Sequence, residues 1–154
     1  ASTLAARLVR TFGKPIEGAP DGLSHLFPAA VELAEADLAA LGLPRARANA
    51  IRGFAAAIAR GELVLDGARG LDDAVARLSA LPGIGSWTAQ YIAMRALGEP
   101  DAFPAGDLAL RKALGPDGGP VRAAEAERWA ESLRPWRSYA AMALWQSLTL
   151  EETR

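Results

Sequence analysis

The 154-residue chain has no cysteine and a single histidine, His25, and these two shortages exclude several kinds of site. Without thiols the chain has no disulfide, no thiolate zinc site, no cysteine nucleophile and no cysteine-ligated iron–sulfur cluster. With one imidazole, a histidine-rich metal site or a Ser-His-Asp triad is not expected, and His25 is interpreted as a packing residue. Composition therefore argues against most kinds of metal site and of nucleophilic catalysis.

The sequence also lacks an excess of charge and any long apolar run. Its formal net charge is −1, so affinity for nucleic acid has to come from a local basic face and from backbone amides. No run approaches the roughly 20 apolar residues that span a bilayer, and no secretory signal opens the chain. We expect a cytoplasmic protein with one domain, or with two small lobes that share a core.

Apolar residues recur at helical spacing in a chain rich in alanine and leucine, which predicts an all-α fold. Leu4, Leu8 and Phe12 share one helical face, and an amphipathic helix is predicted over 45–60. Asp37 is expected to cap a short helix that ends at Gly42. The other predicted elements are helices over 28–35, 37–41, 71–80, 86–97, 121–133 and 138–149, a helix opened by Asp107, and an extended link over 61–66.

The segment Leu81–Gly85, Leu-Pro-Gly-Ile-Gly, joins the apolar end of one helix to a second helix that starts at once. Its two glycines permit backbone angles forbidden to other residues and let another backbone approach closely. We predict a two-helix hairpin whose loop N–H groups, with the N-terminus of the second helix, face outward and suit an anion such as a phosphate. Plain turn chemistry is the alternative interpretation.

Aromatic residues follow the hairpin at a regular spacing. Trp87, Tyr91 and Arg95 are four residues apart and line one helical face. Three more aromatics come from elsewhere in the chain: Phe103, Trp136 and Trp145. Each aromatic alone is interpretable as core, and Asp107 alone as a helix N-cap. Together, a DNA-docking hairpin, an aromatic face and a carboxylate suit an enzyme that holds an extruded base between rings.

Three segments in this order resemble one family: Leu81–Tyr91 (LPGIGSWTAQY), Asp101–Asp107 (DAFPAGD) and Arg134–Ala140 (RPWRSYA). They are similar to the helix-hairpin-helix, Gly/Pro-rich loop and Asp superfamily of DNA glycosylases, and within it to the AlkA-like 3-methyladenine DNA glycosylase II branch. The resemblance covers 1–154 and implies a two-lobed helical domain with a cleft between lobes. The family's wedge-bearing first helix and N-terminal α/β domain have no counterpart in this chain.

The resemblance implies hydrolysis of the N-glycosidic bond of alkylated, cationic purines such as 3-methyladenine in flipped-out nucleotides. It carries over the following roles: Asp107 as the catalytic carboxylate; Trp87, Tyr91 and Trp145 as the base pocket; Gly83, Gly85 and Thr88 as amide donors to a DNA phosphate; and the carbonyls of Ser79, Leu81 and Ile84 as ligands of a monovalent cation, sodium or potassium. No cofactor is expected for the chemistry. The implied partner is double-stranded DNA with alkylated bases, bound by a monomer in the bacterial cytoplasm without a membrane.

Position 87 bears on the product. In the superfamily, enzymes that also cut the DNA backbone place a Schiff-base lysine where Trp87 stands, and indole cannot form an imine. The resemblance therefore implies a monofunctional enzyme that leaves an abasic site. The alternatives are a non-catalytic helix-hairpin-helix DNA-binding module and, more remotely, a helical protein-interaction domain. Arg45, Arg47 and Arg137 are the rival phosphate contacts to the hairpin.

Overall fold

The structure, a computed structural model, describes residues 2–18, 20, 22–64, 70–116 and 119–151. Within these ranges the chain is helical, and its only β-type pairing is an isolated bridge between Pro15 and His25. The elements are α1 (Ser2–Phe12), α2 (Ala30–Glu35), a 3-10 helix (Leu38–Leu41), α3 (Arg45–Ala59), α4 (Leu71–Ser79), α5 (Ser86–Ala96), α6 (Leu108–Ala113), α7 (Ala123–Glu131) and α8 (Arg137–Glu151). The all-α prediction is confirmed.

The local signals in the sequence locate most helix ends to within two residues. Asp37 caps its helix as predicted, accepting from the Ala40 N–H at 3.4 Å, and Gly42 ends it with a φ of 85°. This element is a 3-10 helix rather than an α-helix. The predicted extended link at 61–66 is wrong where it is described, because Gly61 has a φ of 71° and forms a turn. Positions 65 and 66 of that link lie outside the described residues.

The chain divides into two compact units, and the first comprises Ala1–Val64 with Leu81–Gly83. Its buried core is Leu8, Leu33, Ala36, Leu38, Leu43, Ala48 and Ala55. Leu4 and Phe12 pack against this core beside Leu8, which confirms the predicted apolar face of α1. Burial of these leucines at about 25 cal/mol per Å² of apolar surface is the main stabilising contribution in this unit.

The second unit comprises Leu65–Ala80 and Ile84–Arg154. Its buried core is Ala93, Met94, Ala102, Phe103, Leu110, Ala126, Ala130 and Ala141. Alanines let neighbouring helices approach closely, and α8 packs on both α6 and α7. Among the described residues, the buried polar side chains are Arg137 and Ser138, both in the first turn of α8. None of the described helices is long and apolar enough to cross a membrane.

Candidate active site

The predicted hairpin is present, with α4 packed on α5 and a short loop between them. Gly83 adopts a φ of 84°, in the left-handed region that side chains disfavour. A Cβ atom on Gly83 would lie 2.6 Å from the Ala50 Cβ atom of α3. Glycine is therefore required at this position by the fold itself, whatever the loop binds.

Gly85 does not use the conformational freedom that the sequence suggested for it. Its φ of −83° and ψ of 171° are ordinary extended values, and a Cβ atom there would have nothing within 4 Å. The prediction of an unusual backbone angle at Gly85 is wrong, because this residue is an N-cap that leads straight into α5. The open space beside Gly85 is compatible with the predicted close approach of another backbone, which stays a prediction.

The start of α5 is a candidate anion site. The first hydrogen bond into the helix runs from the Ala89 N–H to the Gly85 carbonyl at 2.9 Å. Gly85 offers no side-chain cap, so the amides of the first turn, including that of the half-buried Thr88, have no acceptor from a cap. Unpaired N–H groups at the positive end of a helix dipole favour a phosphate.

Asp107 occupies the N-cap position of α6 and binds two indoles at the same time. Its Oδ1 accepts from the Leu110 N–H at 3.0 Å and from Trp145 Nε1 at 3.1 Å. Its Oδ2 accepts from Trp87 Nε1 at 2.9 Å. Asp107 is therefore a helix cap that also contacts two aromatic rings, and its role as a site carboxylate stays a prediction.

The charge of Asp107 is stabilised by these donors. Burial by itself would raise the pKa of the carboxyl group. The hydrogen bonds from the Leu110 N–H, from Trp145, from Trp87 and from the Ala109 N–H outweigh burial and hold the pKa below its usual value. The carboxylate is therefore ionised at neutral pH and is a weak base.

The aromatic residues that the sequence placed in a base pocket lie together around this carboxylate. Trp87 and Tyr91 are stacked, with ring centroids 5.4 Å apart and planes 20° apart. Tyr91 also contacts Trp145 at 5.9 Å with a 54° tilt. Trp87 is 44% exposed and Tyr91 38%, so each keeps a face open to solvent. A base sandwiched between two rings needs about 7 Å between the ring planes, twice the van der Waals contact distance. The ring centroids of Trp87 and Tyr91 are 5.4 Å apart, so no base fits between these two rings as they stand.

Three residues of the predicted constellation lie elsewhere. Phe103 is buried in the core and packs against Trp129 at a centroid distance of 6.4 Å. Trp136 is exposed and pairs edge-on with Tyr139. Arg95 contacts the Met142 sulfur atom. Spacing along a helix placed Trp87 and Tyr91 correctly, but it carried no information on which distant aromatics join them.

A cavity of about 420 Å³ opens beside Trp87. Its lining residues are Ser86, Trp87 and Gln90 of α5, the segment Phe103–Gly106, and Ala123, Ala124 and Glu127 of α7. Tyr91, Trp145 and Asp107 do not line it. Trp87 therefore borders a space large enough for a small planar ligand and also contacts the carboxylate.

Arg137 is not a phosphate contact, which corrects the sequence-based alternative. It is 3% exposed, and its guanidinium binds Asp101 through Nε at 2.8 Å and Nη2 at 3.0 Å. Its Nη1 donates to Glu127 and Glu131. The exposed residues Arg45 and Arg47 remain available as contacts. No local signal in the sequence indicated this, since Glu127 and Glu131 belong to α7 and Arg137 opens the next helix.

Two other sequence predictions concern His25 and the loop carbonyls. His25 Nδ1 lies 2.8 Å from Ser24 Oγ, in keeping with a local structural role. In the described chain no group of three or more His, Cys, Asp or Glu side chains is placed to hold a metal ion. Outside the helices, none of the described backbone hydrogen bonds ends on the carbonyl of Ser79, Leu81 or Ile84, and the cation site stays a prediction.

The sequence is homologous to named DNA repair enzymes over nearly its whole length. It is 45% identical over 148 residues, 96% of this chain, to the probable bifunctional transcriptional activator/DNA repair enzyme AlkA of Mycobacterium tuberculosis. It is 35% identical over 94% of the chain to DNA-3-methyladenine glycosylase 2 of Escherichia coli. The chain spans 30% and 50% of the lengths of these two relatives. No protein-family model matches it.

Solved structures agree on the fold. The 3-methyladenine DNA glycosylase of Archaeoglobus fulgidus superposes with a TM-score of 0.76 at 30% identity, over 92% of this chain and 49% of that one. The glycosylase Mag1 of Schizosaccharomyces pombe, solved with abasic DNA, superposes with a TM-score of 0.71 over 92% of this chain and 70% of that one. Because its identity is 23%, this likeness shows the fold alone.

Proposed function

We propose that this chain, a homologue of the AlkA-like helix-hairpin-helix DNA glycosylases, is the domain that hydrolyses the N-glycosidic bond of alkylated, cationic purines such as 3-methyladenine. The observation that carries the proposal is the ionised Asp107 carboxylate, which accepts hydrogen bonds from two indoles, Trp87 and Trp145, of a partly exposed aromatic cluster. Among the described residues this is the cluster that combines a stabilised negative charge with open aromatic faces.

The chemistry requires a stabilised anion more than an acid. A purine alkylated at N3 or N7 is cationic and departs as a neutral base, so no proton has to be delivered to it. The sugar left behind has oxocarbenium character, and a fixed carboxylate stabilises that positive charge. Because hydrogen bonds lower the pKa of Asp107, the group is a poor proton acceptor, and electrostatic stabilisation is its principal role. Water then forms a bond to the cationic sugar carbon and releases its proton to solvent.

Selectivity for a cationic base follows from the rings. An indole or phenol face attracts a cation by about 0.5–2 kcal/mol for each well-placed ring, and a neutral base gains less. Trp87 and Tyr91 contact each other, so a base stacks on their exposed faces unless the rings separate. The cavity beside Trp87 offers one such face. Enzymes that act on a base take it out of the duplex, and this base is reached in the same way.

The DNA partner is double-stranded DNA, held at a phosphate by the amides of Gly83, Gly85 and Thr88. The exposed position of Gly85 and the uncapped start of α5 support this contact. A sodium or potassium ion on the carbonyls of Ser79, Leu81 and Ile84 would add positive charge beside the phosphate. Because its net charge is −1, the chain relies on such local groups for its affinity for DNA. The proposed active form is a monomer.

The proposed reaction stops at base removal. Trp87 has no amine, and the two lysines of the chain, Lys14 and Lys112, lie outside the hairpin. No imine with the sugar is therefore expected, and the DNA backbone stays intact.

The test is an excision assay on a labelled duplex that carries one 7-methylguanine, with an unmodified duplex as the control. We expect strand breaks at the lesion only after alkali treatment, and no protein–DNA adduct with borohydride. A covalent adduct on a denaturing gel would contradict the monofunctional assignment. Binding to the duplex without any release of base would instead favour a non-catalytic DNA-binding module.

A further inference from the structure

The segment Gly98–Asp107, here called the site loop, joins α5 to α6 and ends on the site carboxylate. It has little regular structure, yet Ala102 and Phe103 are almost fully buried. A few hydrogen bonds hold the loop internally, including the Asp107 N–H to the Pro104 carbonyl at 2.8 Å. Its shape therefore depends on side chains from neighbouring helices.

Helix α5 holds the site loop at two points. Gln90 Oε1 accepts from the Phe103 N–H at 3.0 Å, in the middle of the loop. Trp87, three residues earlier and on the same helical face, donates to Asp107 at the end of the loop. One helical turn thus fixes both the buried middle of the loop and its carboxylate.

Helix α8 holds the first half of the same loop, between Glu99 and Ala102. Ser138 Oγ lies 2.7 Å from the Glu99 carbonyl and 2.8 Å from the Ala102 carbonyl, and shares its proton between them. The guanidinium of Arg137 forms a two-pronged contact with Asp101. Two turns further along α8, Trp145 donates to Asp107. Helix α5 therefore supplies one loop anchor and α8 supplies two, and each helix contributes one indole to the site carboxylate.

We infer that Gln90, Arg137 and Ser138 are positioning residues, which set the place of the Asp107 carboxylate relative to the two indoles by fixing the loop that carries it. The inference rests on the proposed function only for its consequence in catalysis. Reacting groups tolerate little displacement, since a shift of about 1 Å can cost a hundredfold in rate. Arg137 and Ser138 bond the loop rather than the carboxylate or the rings, so their effect passes through the loop. Gln90 bonds the loop at the Phe103 N–H and also lines the cavity beside Trp87, so Ser138→Ala is the variant that tests the loop alone.

Gln90 gives the sharpest test, because it lies outside the buried ion pairs. Gln90→Leu keeps a similar shape but removes the acceptor of the Phe103 N–H. With enzyme in excess over the methylated duplex, we expect the single-turnover rate constant to fall about tenfold to a hundredfold. Duplex affinity should stay within about twofold, since Gln90 is not one of the proposed phosphate contacts. A merely destabilised variant would lose active fraction, seen as reaction amplitude, and keep the rate constant.

The matched control is Gln146→Leu, the same change at the exposed glutamine of α8, which should leave the rate constant unaltered. If Gln90→Leu does not fold, Ser138→Ala removes the α8 anchor instead and is expected to act in the same direction. Equal rate constants for the wild-type protein and a folded Gln90→Leu or Ser138→Ala variant would overturn the inference.

A spectroscopic readout separates this inference from the proposed function. The indole N–H resonances of Trp87 and Trp145 report their bonds to Asp107, whereas that of the exposed Trp136 does not. We expect Gln90→Leu to shift the first two resonances and to leave the third in place. If Gln90→Leu shifts the two resonances but the wild-type protein releases no base, the positioning role stands and the proposed function is wrong. Unshifted resonances would overturn the positioning role even if the protein is active.

Discussion

Different interactions stabilise the interiors of the two compact units. In the first unit, every described side-chain hydrogen bond lies among exposed residues, such as Arg60 with Glu62 and Arg52 with the Ala34 carbonyl. Its interior is leucine and alanine. In the second unit, hydrogen bonds of buried and half-buried groups, those of Arg137, Ser138, Gln90 and Asp107, run between elements.

The difference shows where precise placement is needed. Apolar packing is non-directional and tolerates adjustment, so it builds a stable scaffold without fixing one side chain to a fraction of an ångström. Hydrogen bonds and ion pairs in a half-buried setting are directional, and losing one partner leaves the other uncompensated. The second unit carries the candidate site and has the directional contacts.

The largest effect is expected from breaking the buried network of the second unit. Arg137→Ala removes the two-pronged partner of Asp101, which keeps only its pair with the exposed Arg134. The free energy of unfolding should therefore fall by about 3 kcal/mol, the lower end for a broken buried pair. Urea unfolding followed by circular dichroism measures this loss. The control is Arg60→Ala in the first unit, whose exposed pair with Glu62 should make no measurable difference. Equal losses for the two variants would erase the distinction between the units.

The next effect concerns the two aspartates that cap helices. Asp107→Asn keeps a similar shape but removes the charge and sets an amide donor against Trp87 Nε1. We expect base release to slow at least about a hundredfold, close to 2.7 kcal/mol, with DNA affinity within a few-fold. Asp37→Asn, the cap of the 3-10 helix in the first unit, should release base normally. Unchanged release by Asp107→Asn would remove this residue from the chemistry.

The two glycines of the hairpin loop should fail in different ways. Gly85→Asp adds bulk and charge in open space, and should weaken binding to an abasic-analogue duplex about tenfold, or 1.4 kcal/mol, without unfolding the protein. Gly83→Ala should instead destabilise the protein, because its Cβ would clash with Ala50.

Gly85→Ala and Gly85→Lys separate bulk from charge in the same fluorescence titration, since the lysine variant adds bulk with the opposite charge. If a folded Gly85→Asp protein binds like wild type, the hairpin is only a structural turn. The exposed Arg45 and Arg47 would then be the phosphate contacts to test.

The smallest effect is expected from acid. The pKa of Asp107 is lowered in the folded protein, so its ionised form stabilises the fold at any pH above its unfolded value of about 3.9. That contribution is lost as the pH falls through the lower folded pKa. Asp107→Asn should therefore lose less stability than wild type between pH 7 and pH 3, measured by urea midpoints. Equal losses would mean that the hydrogen bonds to Asp107 do not stabilise its charge. The pKa of Asp101 is also lowered, but that residue contributes to both proteins alike.

Sequence patterns predicted the parts of the site that depend on neighbours along the chain. Trp87 and Tyr91 stack because residues four apart share a helical face, and Asp107 caps α6 because a carboxylate after a glycine suits that position. Such short-range rules could not tell that Gly85 takes ordinary backbone angles or that Arg137 is buried. Those outcomes depend on which groups meet after the chain has folded.

The sequence by itself determined the helical class, most helix ends and the hairpin, because periodicity, caps and glycines act within a few residues of chain. Only the tertiary structure decided which indoles meet Asp107, that Trp136 stays apart, and that Gln90 and Ser138 hold the site loop. The donors and acceptors of those contacts are 13 to 38 residues apart along the chain. Their pairing is set by helix packing, which local propensity does not encode.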